Sequence, residues 1–426
     1  MNSGRRLKIL VSAYACSPFK GSEPGVGWGV VTALARNHEL WVIVEQEKFQ
    51  KDIERMAAAE PELCRNLHFF YVRKKRNRLL RRIWPPSYYW YYRRWHRDAF
   101  RLAAALHQRV NFDLAHQLTM VGFREPGYLW QLGIPFVWGP VGGMGLFPWR
   151  FLPVVGLYGF LYYLGYNLFN VLQMHFLPRP RSAARAAGGG LMAATPENQA
   201  GALRYWGVSS TVVCEVGLSD DFPVQARPRE AGEKLRLVWS GQHLERKALN
   251  LGLQALARVP ADIECEVHIL GRGPKTAAWQ ALAGRLGIGH RCRFHGWLAR
   301  NEALTVMGEA HVMLITSLRD LTSTVTVEAL ALGLPIICLD HCGFAHVVDG
   351  RCGIKVPVTS PGQVVRGLAA AIELLARDEG LLRTLAEGAL LRAGDFTWKR
   401  NAEAVNRIYG ERLRRAEAVL DAGGRG

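Results

Sequence analysis

The sequence has 426 residues, 49% apolar and 21% charged, which is room for two or three domains and excludes both a disordered chain and a bundle of membrane spans. Charge is its departure from the average: 54 Lys and Arg against 36 Asp and Glu leave +18, which calls for an anionic partner, whether nucleic acid, an acidic membrane surface or a phosphorylated substrate. The eight cysteines are scattered, mostly in apolar runs, which fits reduced thiols and not a disulfide framework.

In chain order, MNSGRRLKILVSAYACS imitates a secretory leader, but its apolar run of about seven residues is short for one and leads straight into a glycine-rich turn. It reads as a first strand, Lys8 to Tyr14. Further apolar runs predict strands at Leu40 to Glu45, Leu67 to Val72, Leu114 to His116, Phe136 to Trp138, Leu191 to Ala194 and Thr211 to Val213. A polar, Pro-containing stretch, 219–234, reads as a linker. A second series follows at Arg236 to Ser240, Glu264 to Leu270, Cys292 to Phe294, Val312 to Ile315 and Pro335 to Leu339, with helices such as Ala248 to Val259 and Lys275 to Leu286 between them. Strands alternating with helices predict parallel sheets, hence two similar α/β domains, 1–218 and 235–395.

Two segments stand apart. Residues 73–101 hold eleven Lys or Arg against Asp98 alone, +10 of the +18, and within them WPPSYYWYYRRWHRDAF could stack bases, enter a membrane interface or cover the domain. Residues 151–174, FLPVVGLYGFLYYLGYNLFNVLQM, carry no charge and are long enough to span a bilayer. Pro153, three glycines, two asparagines and four dispersed tyrosines point instead to a buried or interfacial helical hairpin. An anionic membrane surface, met through 73–101 and a second contact at 151–177, is the expected partner; nucleic acid is not.

The loop after the first strand, CSPFKGSEPGVGWG, opens a helix where backbone N–H groups could hold phosphate. A dinucleotide turn is the alternative, since Glu45 ends the second strand, but the third glycine position is Val30. In the second half Arg246 and Lys247 stand at a helix start, in SGQHLERKALNLGLQAL, able to converge on one anion. Farther on, TSLRDLTSTVTVEALALGLPIICLD sets Asp320 in a loop eight residues before Glu328, and such carboxylates can accept from vicinal hydroxyls.

These segments, with L-G-R-G-P at Leu270, F-x-G at Phe294, the CGF…VDG-x-x-G turn from Cys342 and FTW from Phe396, resemble glycosyltransferase family 4 over residues 235–410. The first half is similar more loosely, through the glycine loop, Asp113-x-x-His116 and WGPVGG at Trp138. The resemblance implies a GT-B fold, two Rossmann-like doubly wound α/β domains facing across a cleft, with 396–426 crossing back to the first domain. It implies a retaining, metal-independent enzyme without cofactor that moves a sugar from a nucleotide diphosphate to a lipid-linked or saccharide acceptor, at the cytoplasmic face of the membrane, in cell-surface polysaccharide or glycolipid synthesis. Arg246 and Lys247 would neutralise the diphosphate, Asp320 would face the sugar, and His116 would stand near it. Gly25, Gly27, Gly241, Thr324, Glu328 and Gly343 would complete the donor site, Glu328 on the ribose. The chain departs from the family pattern where it has Asp320 for Glu, Gln242 and His243 in the first diphosphate loop, and Phe344, Ala345 and His346 after Gly343. These departures leave open a catalytically impaired binding or scaffold protein of the same fold. Cys338, His341, Cys342, His346 and Cys352 admit a zinc reading, although their spacing matches no usual finger or ribbon.

Overall fold

The structure, a computed structural model, describes residues 5–75, 78–83, 87–224, 226–230 and 232–423. Arg76 and Trp84-Pro85-Pro86 of the basic window, and residues 225 and 231 of the linker, lie outside the described residues. The chain forms two units: Met1–Met144, Leu172–Gly217 and Trp398–Gly426 make the first, Gly145–Val171 and Leu218–Thr397 the second.

The first unit is built on a parallel sheet of β1 (Lys8–Ala13), β2 (Glu39–Glu45), β3 (Leu67–Val72), β4 (Leu114–Thr119), β5 (Phe136–Val141), β6 (Leu191–Ala193) and β7 (Thr211–Val212), in the order β3-β2-β1-β4-β5-β6-β7. Every residue of β4 and β5 is buried, as expected of strands covered on both faces; β5 runs apolar instead of alternating, while β4 also buries the polar His116, Gln117 and Thr119. The chain reverses direction across the sheet between β1 and β4. The last helix, Trp398–Gly423, packs here: a Cβ on Gly29 would lie 2.2 Å from the Trp398 ring and one on Gly217 2.8 Å from it. Helix Ser87–Val110 divides the aromatic window between two environments. Tyr92 and Trp95 are core, with Trp95 Nε1 donating to Val72 O at 2.8 Å, while Tyr89 and Trp90 face solvent.

The second unit has β8 (Leu235–Ser240), β9 (Cys265–Leu270), β10 (Cys292–Gly296), β11 (Val312–Ile315), β12 (Ile336–Leu339) and β13 (Gly353–Val356), all parallel, ordered β10-β9-β8-β11-β12-β13. The four residues of β13 were not expected from the sequence. Residues 219–234 contain no helix or strand among those described, but Arg229 ties them to the second unit through Ala376 O at 2.9 Å.

Residues 145–171 pack with the second unit, although the sequence reading kept them in the first. Instead of a hairpin, a 3-10 stretch holding Pro153 leads through Gly156, at φ 75°, into one helix, Gly156–Phe176. The asparagines that seemed to interrupt it fasten the preceding loop. Asn167 Oδ1 accepts from Phe147 N at 2.9 Å and its Nδ2 donates to Phe147 O at 2.8 Å, while Asn170 Nδ2 donates to Gly145 O at 3.4 Å. The opposite face is apolar and exposed, with Leu157, Tyr158, Leu161, Tyr162, Leu168, Phe169, Leu172 and Phe176 all in solvent. Among the described residues no helix is long and apolar enough to cross a membrane.

Candidate active site

In open parallel sheets ligands bind outside the carboxyl ends of the strands where the connections reverse direction. In the second sheet that point lies between β8 and β11. The loops leaving those two strands carry Arg246 and Lys247 on one side and Asp320 on the other.

After β8 the backbone turns through Gly241 and closes a 3-10 turn, Glu245–Lys247, which ends at Ala248 in the left-handed region, φ 46°. Leu318 N donates to Arg246 O at 2.8 Å and Thr316 Oγ1 to Lys247 O at 2.7 Å, so the two loops are stitched together through their backbones. That fixes the side chains. Lys247 Nζ donates to Asp320 Oδ2, and Arg246 Nη1 lies 3.4 Å from Asp320 Oδ1 and 3.1 Å from Arg319 O. Lys247 is buried and Asp320 half-buried, so their attraction is screened far less than at an open surface. Cys342 enters the same cluster, its Sγ accepting from Asp320 N at 3.2 Å.

The glycines have steric causes. A Cβ on Gly271, at φ 105°, would lie 2.0 Å from Gly241 O, and one on Gly273 would lie 2.6 Å from His243 O, so the L-G-R-G-P loop nests on the backbone after β8. Gly241 itself sits beside Lys247, with its notional Cβ 3.6 Å from Lys247 Cε. Gly343 lies against Thr322, its notional Cβ 2.3 Å from Thr322 Oγ1. Thr324 is the first residue of helix Thr324–Ala331, whose N-cap Ser323 makes no side-chain cap. Glu328, in the same helix, is buried, and Arg300 donates to its Oε1 through Nη2 at 2.7 Å and Nε at 3.2 Å. His243 turns inward, its Nδ1 2.8 Å from Thr276 Oγ1, and leaves Gln242 exposed.

Gly25 and Gly27 belong to the first unit. There a Cβ on Gly27 would lie 2.1 Å from Ala15 O and one on Gly25 2.8 Å from Lys20 O, so Gly27 lets helix Glu23–Ala35 start close against the chain just after β1 and Gly25 lets it nest on the loop at Lys20. His116 is not where the sequence reading expected it. It is fully buried in β4, with Nδ1 2.6 Å from Tyr409 Oη and Nε2 2.9 Å from Gly139 O, and burial lowers its pKa to about 4. Both ring nitrogens are occupied within the protein, so His116 fastens the last helix to the sheet instead of meeting substrate.

Arg300, Arg319 and Cys342 were missed as site residues. Arg319 stacks on Tyr166 at 3.8 Å from the ring centroid and donates to its hydroxyl. Its place beside Asp320 in S-L-R-D was the available signal; Arg300, 28 residues from Glu328, offered none. No group of three or more His, Cys, Asp and Glu side chains among the described residues could hold a metal ion, and Cys338 is a core thiol whose burial raises its pKa.

Residues 234–378 match the family described as Glycosyl transferases group 1. That stretch is a glycosyl transferases group 1 domain. The domain contains every strand of the second sheet and both loops of the cation–carboxylate cluster. Curated relatives include two glycosyltransferases that resemble part of this chain. The D-inositol 3-phosphate glycosyltransferase of Streptomyces bingchenggensis is 34% identical over 134 residues, 31% of this chain and 29% of that protein. The lipopolysaccharide glucosyltransferase WaaG of Escherichia coli is 29% identical over 122 residues, 28% of this chain and 32% of that protein. The matched segments thus span about a third of these relatives' lengths. Anabaena Alr3699/HepE, solved in complex with UDP, is similar in structure with a TM-score of 0.61 at 13% identity, covering 95% of this chain and 100% of that one. This likeness shows the GT-B fold, two Rossmann-like α/β domains.

Proposed function

We propose that the chain is a retaining glycosyltransferase that moves a sugar from a nucleotide diphosphate donor to a lipid-linked or saccharide acceptor. The observation that carries this reading is the convergence of Lys247 and Arg246 on one carboxylate at the reversal point of the group 1 domain. Two cations fixed by backbone hydrogen bonds are suited to a diphosphate, whose charge rises as the bond to the sugar breaks. The HepE structure with UDP and the names of the curated relatives support a nucleotide-sugar donor.

Asp320 holds the two cations among the protein's own groups. An entering diphosphate, with more charge and more acceptor oxygens, takes over Lys247 and Arg246, and the freed Asp320 oxygens can accept from sugar hydroxyls. Glu328 is arranged in the same way, since Arg300 occupies Oε1 and Oε2 remains to receive ribose hydroxyls. The cations take the leaving-group charge, so no metal is called for. Retention follows if the acceptor oxygen attacks on the face the diphosphate leaves, with no protein nucleophile.

The place of work is the cytoplasmic face of an anionic membrane, met by the basic window, with the product entering cell-surface polysaccharide or glycolipid. Incubation of the purified protein with a panel of UDP-, GDP- and other nucleotide-sugars tests the reading. Donor-specific release of nucleoside diphosphate is the expected result. Nucleotide-sugar binding without turnover, with acceptor present, would instead establish the impaired binding protein.

A further inference from the structure

The outer face of helix Gly156–Phe176 is an exposed apolar surface that the proposed chemistry does not use. At 100° per residue its exposed apolar side chains, Leu157 through Phe176, fall within an arc of about 140° along the whole helix. Leu161 is 59% exposed and Phe169 66%, values that folding alone does not favour for side chains of this size. The inward arc is already satisfied, because Tyr163, Asn167 and Asn170 are buried.

We infer that this face lies flat in the headgroup region of an anionic bilayer, and that the helix thereby seats the donor site at the membrane surface. Three observations select this occupant. The face combines Leu and Phe with Tyr, side chains suited to the boundary between acyl chains and headgroups. From residue 126 to residue 196 the chain has no Asp or Glu, whereas Arg150 precedes the helix and Arg181 and Arg185 follow it, so the segment that carries the face is cationic and complements anionic lipid. That same charge disfavours a second copy, since a two-fold contact would set the same cationic segment against itself. The inner face supplies the link to chemistry. Tyr166 stacks on Arg319, the neighbour of Asp320, and the notional Cβ of Gly159 lies 3.6 Å from Glu245 Cγ in the turn that presents Arg246 and Lys247. The inference deepens the membrane-surface part of the proposed function, and its test does not depend on turnover.

The test is co-sedimentation of the full chain with phosphatidylglycerol-containing vesicles, with pure phosphatidylcholine vesicles as comparison, for the wild type, L161D/F169D and the milder L161S/F169S. The wild type is expected to partition onto the anionic vesicles, and both variants to lose at least about tenfold in partitioning, the Asp pair more than the Ser pair. Circular dichroism and nucleoside diphosphate release from a soluble donor should stay at wild-type level, since neither residue touches the donor loops. Folded variants that still co-sediment like the wild type would overturn the inference, even if donor turnover proves real. So would a wild type that elutes as a dimer and becomes monomeric in the variants with vesicle binding unchanged, because the face would then be a contact between copies. Loss of vesicle binding in a protein that turns over no donor would keep this inference and remove the enzymatic one.

Discussion

Lys247 and Arg246 are consecutive yet reach one carboxylate, because a 3-10 turn brings neighbouring side chains closer in direction than a strand, which would point them to opposite faces. Replacing Lys247 by Ala should lower transfer by about 10²- to 10³-fold, ~2.7 to 4 kcal/mol, as loss of one charge-stabilising donor does elsewhere, and steady-state kinetics with a soluble acceptor would read it. An unchanged rate would remove the diphosphate assignment. Glu328→Gln should act differently, raising the donor's KM at least as much as it lowers kcat, because ribose contacts are made before as well as during reaction. His116 affects stability instead. Burial lowers its pKa from 6.5 to about 4, so between those values the unfolded chain takes up a proton that the folded chain refuses. Stability is therefore fully present above about pH 6.5 and falls as the pH drops to 4, by up to about 3 kcal/mol. His116→Gln should flatten that dependence in urea unfolding while leaving turnover at pH 7 unchanged. His96, lowered by burial to about 3, should keep part of the slope.

Elements were more legible in the sequence than their pairings. Buried parallel strands announce themselves as apolar runs between helices, so all the strands but β13 could be anticipated along the chain, whereas their order within each sheet could not. Strand β13 escaped because its four residues, GIKV, lie between a turn and Pro357 and include a charged Lys355. That Arg246, Lys247 and Asp320 stand in loops was readable because the apolar runs before them, ending at Ser240 and Ile315, mark strand ends. Arg300 on Glu328 and Tyr166 on Arg319 were not, since only tertiary structure joins positions 28 and 153 residues apart. His116 misled because a histidine in a strand looks the same in sequence whether it faces a ligand or Tyr409. Glycine 27 shows how an element can resolve such an ambiguity. Ala in a helix is ordinarily better than Gly by about 1 kcal/mol, but here its Cβ would strike Ala15 O, so Gly27→Ala should destabilise by about 1 to 3 kcal/mol in thermal unfolding. A raised melting temperature would show that helix and strand can separate.

For the whole molecule, the charge of +18 becomes a question of which cations are spent inside. Arg73 pairs with Glu47, Arg93 with Glu125 and Arg101 with Asp98, and Arg97 meets Tyr128 Oη at 3.2 Å. Lys75 and Arg94 have no ion pair among the described residues, and they border a cavity with Trp90. Removing both charges as Lys75→Gln with Arg94→Gln should weaken binding to anionic vesicles by about 2 kcal/mol at low ionic strength. The difference should shrink as added salt shortens the range of electrostatic attraction, which a salt titration of co-sedimentation would show.

The return of helix Trp398–Gly423 to the first unit has a consequence for the order in which the protein can be made. Asn401 donates to Cys214 O and Val216 O, Tyr409 meets His116, and the Trp398 ring fills the space left by Gly29 and Gly217, so strands of the first sheet are completed by residues made well after them, from 398 onward. Most of the second sheet's segment, 218–397, is by contrast continuous. On the ribosome, then, the domain encoded later can close first, while the earlier one waits, with part of its core open, until residues beyond 397 have emerged.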